Sequence, residues 1–373
     1  MIVVQFVLAQ LADNAPSDLR ELALLANHKS VGITILVLAV LRIVWRLRHA
    51  PPALPAAMPR WQATASNISH WSLYALLFAV PMTGWLMSSA SAYSVSWFNL
   101  FQLPDIVAPN AMLKDVFEET HEVLAKLLLV IASVHVGAAV KHAVIDKDDV
   151  LRRMTSIVSV AVFAIVAVSG IAWLGSAGST KPTTSDPTPA AASVDSTVAQ
   201  KPESASYLPV WEIDYAASYI RFVGDQAGAV FDGAWEHWTA QLQFSASDID
   251  AGIFDVAIDT SSANTQDEDR DVTMADPEWF DSVNYPEAAF RASRFSDIGA
   301  GKYVADGQLS IKGITSPVQL QFTVQSNGER HVLEGEAQLD RLELGIGTGE
   351  WEDTEWVGKD VTVLVRVEAT SSD

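Results

Sequence analysis

Residues 121–135 read HEVLAKLLLVIASVH, an apolar helical run with an imidazole at each end. A bilayer imposes a free-energy cost on every polar side chain it hosts, so two histidines in a membrane-length helix call for a function. An α-helix rises about 1.5 Å and turns about 100° per residue. His121 and His135 therefore stand ~21 Å apart along the axis and within about 40° of one face. One stripe thus carries an imidazole near each membrane surface. That geometry suits two b-type haems, each clamped between helices by axial histidines.

Each haem needs a second ligand at the same depth on a neighbouring helix. His28 opens the apolar segment 28–47 from the outer side, level with His121. Gly32, one turn further on, lets a porphyrin approach the backbone. His70 opens the segment 70–90 from the opposite side, roughly level with His135. The expected pairing is His28 with His121 outside, and His135 with an inner partner. A single histidine at a helix end is an ordinary interfacial residue; four at matched depths point to ligation. His49 and His142 border Arg or Lys and read as solvated, while Lys126 reads as snorkelling outward beside Glu122.

Four segments have the ~20 apolar residues that a span requires: 28–47, 70–90, 121–143 and 154–175. The run MIVVQFVLAQLA at 1–12 is too short to cross and lacks the basic start of a signal peptide. It reads as the outer part of a helix whose first half is missing from this chain. Arg42, Arg46, Arg48 and Arg60 lie between the first two spans, and Lys141, Lys147, Arg152 and Arg153 between the third and fourth. Basic loops face the cytoplasm, so everything after Gly175 lies on the far side, which is the periplasm in a Gram-negative cell. The 373 residues divide sharply in charge: 1–175 carry a net +1 and the remainder −22. So acidic a C-terminal half excludes nucleic acid as a partner. The absence of cysteine excludes disulfides, thiolate metal sites and c-type haem attachment.

The stretches NHKSVGITILVLAVLRIVWRLRH, HWSLYALLFAVPMTGWLMSSAS and HVGAAVKHAVIDKDDVLRRM resemble the prokaryotic cytochrome b-561 family over about residues 20–154. The resemblance implies a four-helix bundle holding two b haems that pass electrons across the membrane, usually with quinone as a partner. It matches His28 and His121 to the outer ligand pair and His135 to one inner ligand. The other inner ligand in the family sits on a preceding helix, in a His-Trp near its start. Here the inner haem takes that ligand from sequence upstream of a misassigned start, uses His70, or is missing.

Residues 176–206 are rich in Ser, Thr, Pro and Ala and are expected to form a disordered tether. From Tyr207 the pattern changes to period two in 240–246, 318–326 and 361–369, as in half-buried strands. Many strands and little helical periodicity suggest an antiparallel barrel or sandwich, and an eight-stranded barrel has room for one small or elongated ligand. The segments TQDEDRDVTMADPEWFDSVNYPEAAFRASRF, DGQLSIKGITSPVQLQF and LDRLELGIG resemble the YceI family of lipocalin-like barrels. That resemblance, over about 209–370, implies a periplasmic module enclosing a polyisoprenoid chain, such as a quinone or its precursor. Phe222, Phe244, Phe254, Phe290, Leu320 and Phe322 are the inward-facing candidates for lipid contact, or else ordinary core. Trp279 and Phe280 read as gating the mouth or plugging it. The GIGTGE run at 345–350 follows no βαβ pattern and reads as a flexible turn.

The expected organisation is a cytochrome b-561-like haem domain at 1–153 with its first helix truncated, and an additional span at 154–175. A linker at 176–206 and a YceI-like barrel at 207–373 follow. The chain reads as a multi-pass inner-membrane b-type cytochrome with one or two haems and a tethered periplasmic barrel for isoprenoid or quinone. It is an electron carrier whose donor the sequence leaves unnamed; quinone oxidoreductase activity and a homodimer are both compatible with it. The alternative is a membrane-anchored lipid-binding or stress-response protein with a degenerate haem domain. No nucleophile–base arrangement or G-x-S-x-G elbow suggests a hydrolase.

Overall fold

A short apolar helix, α1 (Ile2–Ala12), leads to Ser17, whose hydroxyl accepts from the Arg20 backbone N–H (3.4 Å). This cap starts α2 (Asp18–Arg48), with Asp18 and Glu21 in its first turn and Arg46 and Arg48 in its last. Both charge placements complement the helix dipole. The computed structural model describes residues 1–49, 59–141, 144, 208 and 210–371. The expected span at 154–175 and the linker at 176–206 lie outside the described residues. By contact, Met1–Ala53, Tyr74–Lys126 and Ser206–Asp373 form one compact unit, and Leu54–Leu73 and Leu127–Ala205 another.

Three described helices are long and apolar enough to cross a membrane: α2, α3 (Arg60–Ala90) and α4 (Ala111–Lys141). Large apolar side chains stay uncovered along them, with Leu41 and Val130 at 60% and Val134 at 67% exposure. Water would penalise such faces and lipid tails accept them, which makes this a membrane protein. Each helix starts ten residues before its expected apolar span. The added turns are polar and capped, by Ser17 in α2 and by Asn110 in α4, whose Oδ1 accepts from the Leu113 N–H (3.0 Å).

The segment after α3 holds a small hairpin the sequence did not signal, β1 (Ser96–Trp97) and β2 (Phe101–Gln102). Its connection is unusual in placing Phe98 and Asn99 in left-handed backbone (φ 49° and 55°). The hairpin is pinned to α2, because the Ser30 hydroxyl accepts from the Phe98 N–H (2.9 Å) and Trp97 Nε1 donates to Thr34 Oγ1 (3.0 Å).

The C-terminal part is a curled antiparallel sheet of lipocalin-like type. Its strands are β3 (Glu212–Ile213), β4 (Tyr219–Gln226), β5 (Ala229–Trp235), β6 (Trp238–Gln243), β7 (Ile253–Asp259) and β8 (Ala263–Asn264). They continue with β9 (Glu287–Gly299), β10 (Lys302–Ile311), β11 (Ile314–Asn327), β12 (Arg330–Asp340) and β13 (Asp360–Thr370). The hydrogen-bonded order is β6-β7-β9-β10-β11-β12-β13-β4-β5-β8, with β3 on β13. The three alternating runs of the sequence fall on β6, β11 and β13. Among the described residues no ladder joins β6 to β5 or β8, so the sheet curls without closing its hydrogen-bond circuit. Helix α5 (Glu268–Ala275) follows β8, its first turn capped by Asp267 Oδ1 on the Arg270 N–H (2.8 Å).

Two apolar clusters fill the concave side. One gathers Phe244, Phe254, Phe295, Tyr303 and Phe322 around Leu333; the other joins Phe222, Ile258, Met274, Phe280 and Leu344. A register shift at Asp306/Gly307 lets β10 pass under Phe290. A Cβ on Gly307 would stand 2.4 Å from that ring, so the close approach requires glycine.

Candidate functional site

Position 28 lies on the third turn of α2 and position 121 on the third turn of α4. Their rings face each other with centroids 6.3 Å apart and planes at 71°. Each ring is fixed through its Nδ1. His28 donates to the Gln5 carbonyl of α1 (3.2 Å), while Gln5 Nε2 donates back to the His28 carbonyl (3.0 Å). His121 donates to the Val80 carbonyl of α3 (2.9 Å), with Thr83 Oγ1 3.3 Å from the same nitrogen. A histidine that ligates a metal characteristically donates its other ring N–H in this way, which sets the tautomer and presents Nε2. Gly84 completes the cradle, because a Cβ there would lie 3.1 Å from His121 Cε1.

Haem iron fits this donor set. A metal–imidazole bond is about 2 Å, so two rings on opposite sides of one iron place their centroids about 6 Å apart. The 6.3 Å separation of the two rings matches that spacing.

The other two histidines also meet. His70 and His135 have ring centroids 5.0 Å apart at 64°, and His135 Nδ1 is hydrogen-bonded to Ser69 Oγ (2.9 Å). This pair must part by about 1 Å to admit an iron. His49 stacks on Trp45 in the exposed last turn of α2 (3.8 Å, 15°), clear of both pairs. His142 lies outside the described residues. Lys126 pairs with Glu122 one turn away, as snorkelling requires.

The lipid-contact candidates fall in both apolar clusters. Phe244, Phe254 and Phe322 pack ring on ring at 5.1–6.3 Å with Leu320 beside them, and Phe222 lies 4.7 Å from the Trp235 ring. Phe290 is half-buried over Gly307. Phe280 belongs to the second cluster, and Trp279 meets Trp351 edge-on at 5.4 Å.

Sequence reasoning missed Arg341, on the turn that follows β12. Arg341 is 3% exposed, and among the described residues no carboxylate lies within ion-pair distance of its guanidinium. All five donors meet backbone carbonyls: Nε on Gly358 (2.9 Å), Nη1 on Ile346 (3.0 Å) and Gly347 (2.9 Å), Nη2 on Trp351 (2.6 Å) and Val357 (2.9 Å). Burial lowers the pKa of this group, with Asp340 and Glu352 acting in the opposite sense. The GIGTGE run is therefore a tightly bonded loop, correcting the expectation of flexibility. Gly345, Gly347 and Gly349 all take positive φ (66°, 70° and 68°), and within the run the Ile346 and Gly347 carbonyls meet the guanidinium.

Comparison with known proteins matches these two halves separately. The family model described as prokaryotic cytochrome b561 covers residues 1–157, and the YceI-like domain model covers 211–369. Cytochrome b561 homolog 2 of Escherichia coli (strain K12) is 38% identical over 128 residues, 34% of this chain and 68% of that protein. A probable superoxide oxidase, CybB of Yersinia pestis, is 34% identical over 128 residues, covering 34% of this chain and 72% of its own length. The crystal structure of Burkholderia cenocepacia BcnA aligns with 43% of this chain and all of its own, at 31% identity and a TM-score of 0.42. The chain belongs to the prokaryotic cytochrome b561 family and carries a YceI-like domain behind its membrane helices.

Proposed function

We propose that this protein is an inner-membrane b-type cytochrome that carries electrons to or from quinone, with an isoprenoid-binding barrel on the periplasmic side. The observation that carries this reading is the opposed His28–His121 pair, spaced at 6.3 Å with both Nδ1 atoms committed to carbonyls. His28 and His121 would hold the outer haem, and His70 and His135 the inner one. Held by both imidazoles, a haem there would supply one-electron exchange. The residues around it fix the rings and keep a low-dielectric shell. The name of the Yersinia pestis relative supplies a chemical class for the donor, superoxide, whose oxidation is the first substrate to assay.

The test is a pyridine haemochrome assay with a reduced-minus-oxidised spectrum on the purified full-length protein. Two haems per chain are expected. One haem confines ligation to a single pair and removes the transmembrane path; none leaves a lipid-binding module on an inert anchor. A one-haem form would follow from the 5.0 Å spacing of His70 and His135 if those rings do not part.

Two further outcomes follow. Gly84→Leu should push His121 aside and lower the haem content by about one per chain, since even a Cβ there meets the ring at 3.1 Å. An unchanged haem ratio would count against the cradle. Lipid extracts of the full chain should hold an isoprenoid that a form ending at residue 175 lacks, as read by mass spectrometry. Identical extracts from the two would remove the isoprenoid from the proposal.

A further inference from the structure

One residue beyond His28, a second polar cluster joins the membrane helices to the barrel. Lys29 Nζ lies 3.6 Å from the centroid of the Tyr93 ring, in the segment between α3 and β1. From the other side Arg270 of α5 brings its guanidinium carbon to 5.4 Å from the same ring and 4.3 Å from Phe231. Arg270 Nε donates to Gln226 Oε1 (2.9 Å). Arg270 is 8% exposed, yet its Nη1 is buried without a hydrogen-bond partner. Two cations therefore share one aromatic ring in desolvated space.

Their countercharge is incomplete. Asp267 is the carboxylate that acts on both, and its Oδ1 is occupied as the cap of α5. Asp271 is held by the backbone N–H and hydroxyl of Thr265 (2.8 and 2.7 Å). Burial pushes the Tyr93 hydroxyl pKa up, so it stays neutral and supplies no charge. Among the described residues neither cation is within ion-pair distance of a carboxylate. A buried guanidinium with a spare donor is costly unless an anion satisfies it.

We propose that Lys29 and Arg270 together hold a propionate carboxylate of the outer haem, so that the YceI-like domain contributes a residue to a cofactor bound in the membrane helices. The inference rests on the haem reading above. Lys29 adjoins His28 in sequence, propionates are the charged groups of a haem, and a guanidinium fork pairs with a carboxylate in two parallel bonds. The remaining contacts between the two parts keep Arg270 in place. The Val230 N–H donates to Gln102 Oε1 (3.1 Å), Lys114 approaches Asp269 (4.0 Å), and Leu22 packs with Ala227, Trp351 and Val357.

Positive charge beside a haem favours its reduced form. Potentiometric titration of the full-length holoprotein should show Arg270→Gln and Lys29→Gln each lowering the midpoint of one haem and not the other. The expected change is about tenfold in the reduced-to-oxidised ratio at fixed potential, ~59 mV for one electron. Arg270→Lys should recover part of it. Docking is read separately. The chain has no cysteine, so Gln102→Cys with Val230→Cys gives one pair that a short bismaleimide can join. Cross-linking should persist in Arg270→Gln. Midpoints that stay put while cross-linking persists overturn the proposal, as does a shift seen only where cross-linking is lost. Absence of haem from the unsubstituted protein sinks the haem reading itself, and the haemochrome assay reports that independently.

Discussion

His121→Ala is expected to remove one haem per chain and leave a protein whose remaining haem has an unaltered reduced spectrum. The ring it deletes is half of the opposed pair at 6.3 Å, and methyl in its place offers iron no donor. The loss should halve the haemochrome ratio, and His28→Ala should reproduce it, because a propionate contact and one imidazole do not replace a bis-histidine site. The two substitutions combined should do no more than either alone, since they empty the same position. Full haem content in His121→Ala would sink the ligand assignment and with it the electron-transfer reading. Transmembrane electron flow should fall to background in both single variants, because the remaining haem then has no partner at the opposite surface.

Arg341→Ala should be the most destabilising single change in the barrel. It leaves five buried carbonyls without the donors they now meet at 2.6–3.0 Å. Each unpaired buried group costs about 1–3 kcal/mol; water entering the space recovers part, so a net loss of about 4 kcal/mol is expected. For a domain of this size that lowers Tm by about 8–16 °C. The fluorescence of Trp279 and Trp351, which flank the site, gives the melting curve. Arg341→Lys should regain part of the loss, having three donors from a single point in place of a planar fork. A Tm within 2 °C of the starting protein, on the order of 1 kcal/mol or less, would show that the loop carries its own weight.

The membrane architecture was legible because lipid exposure and helical periodicity act on side chains, which a sequence displays. Two histidines on one stripe at 121 and 135 followed from rise and turn, and candidate partners at 28 and 70 from the ends of the apolar segments. Where the chain leaves the bilayer the signal weakened. The first ten residues of α4 and the hairpin at Ser96–Gln102 depend on Asn110 and Ser30, short polar residues that look alike in loops and caps. In the barrel, alternation located strands but could not separate Phe244 or Phe322 as core from the same rings as lining, since both uses need an inward apolar side chain. Arg341 was invisible for a different reason. Its partners are carbonyls, which every residue has, and three of the five lie outside the glycine-rich run.

The barrel meets the β1–β2 hairpin, α2 and α4 through a few polar contacts of 3.1–4.0 Å and one small apolar cluster. Between separate proteins so sparse a face would rarely stay occupied, because each encounter sacrifices translational and rotational freedom. Here both faces belong to one polypeptide, and their association is unimolecular, at an effective concentration in the millimolar range for a short connection. A pairing with a Kd of ~0.1 mM would then be closed about nine-tenths of the time. Dilution of the protein leaves that occupancy unchanged, and the contact can stay weak enough to open and reclose.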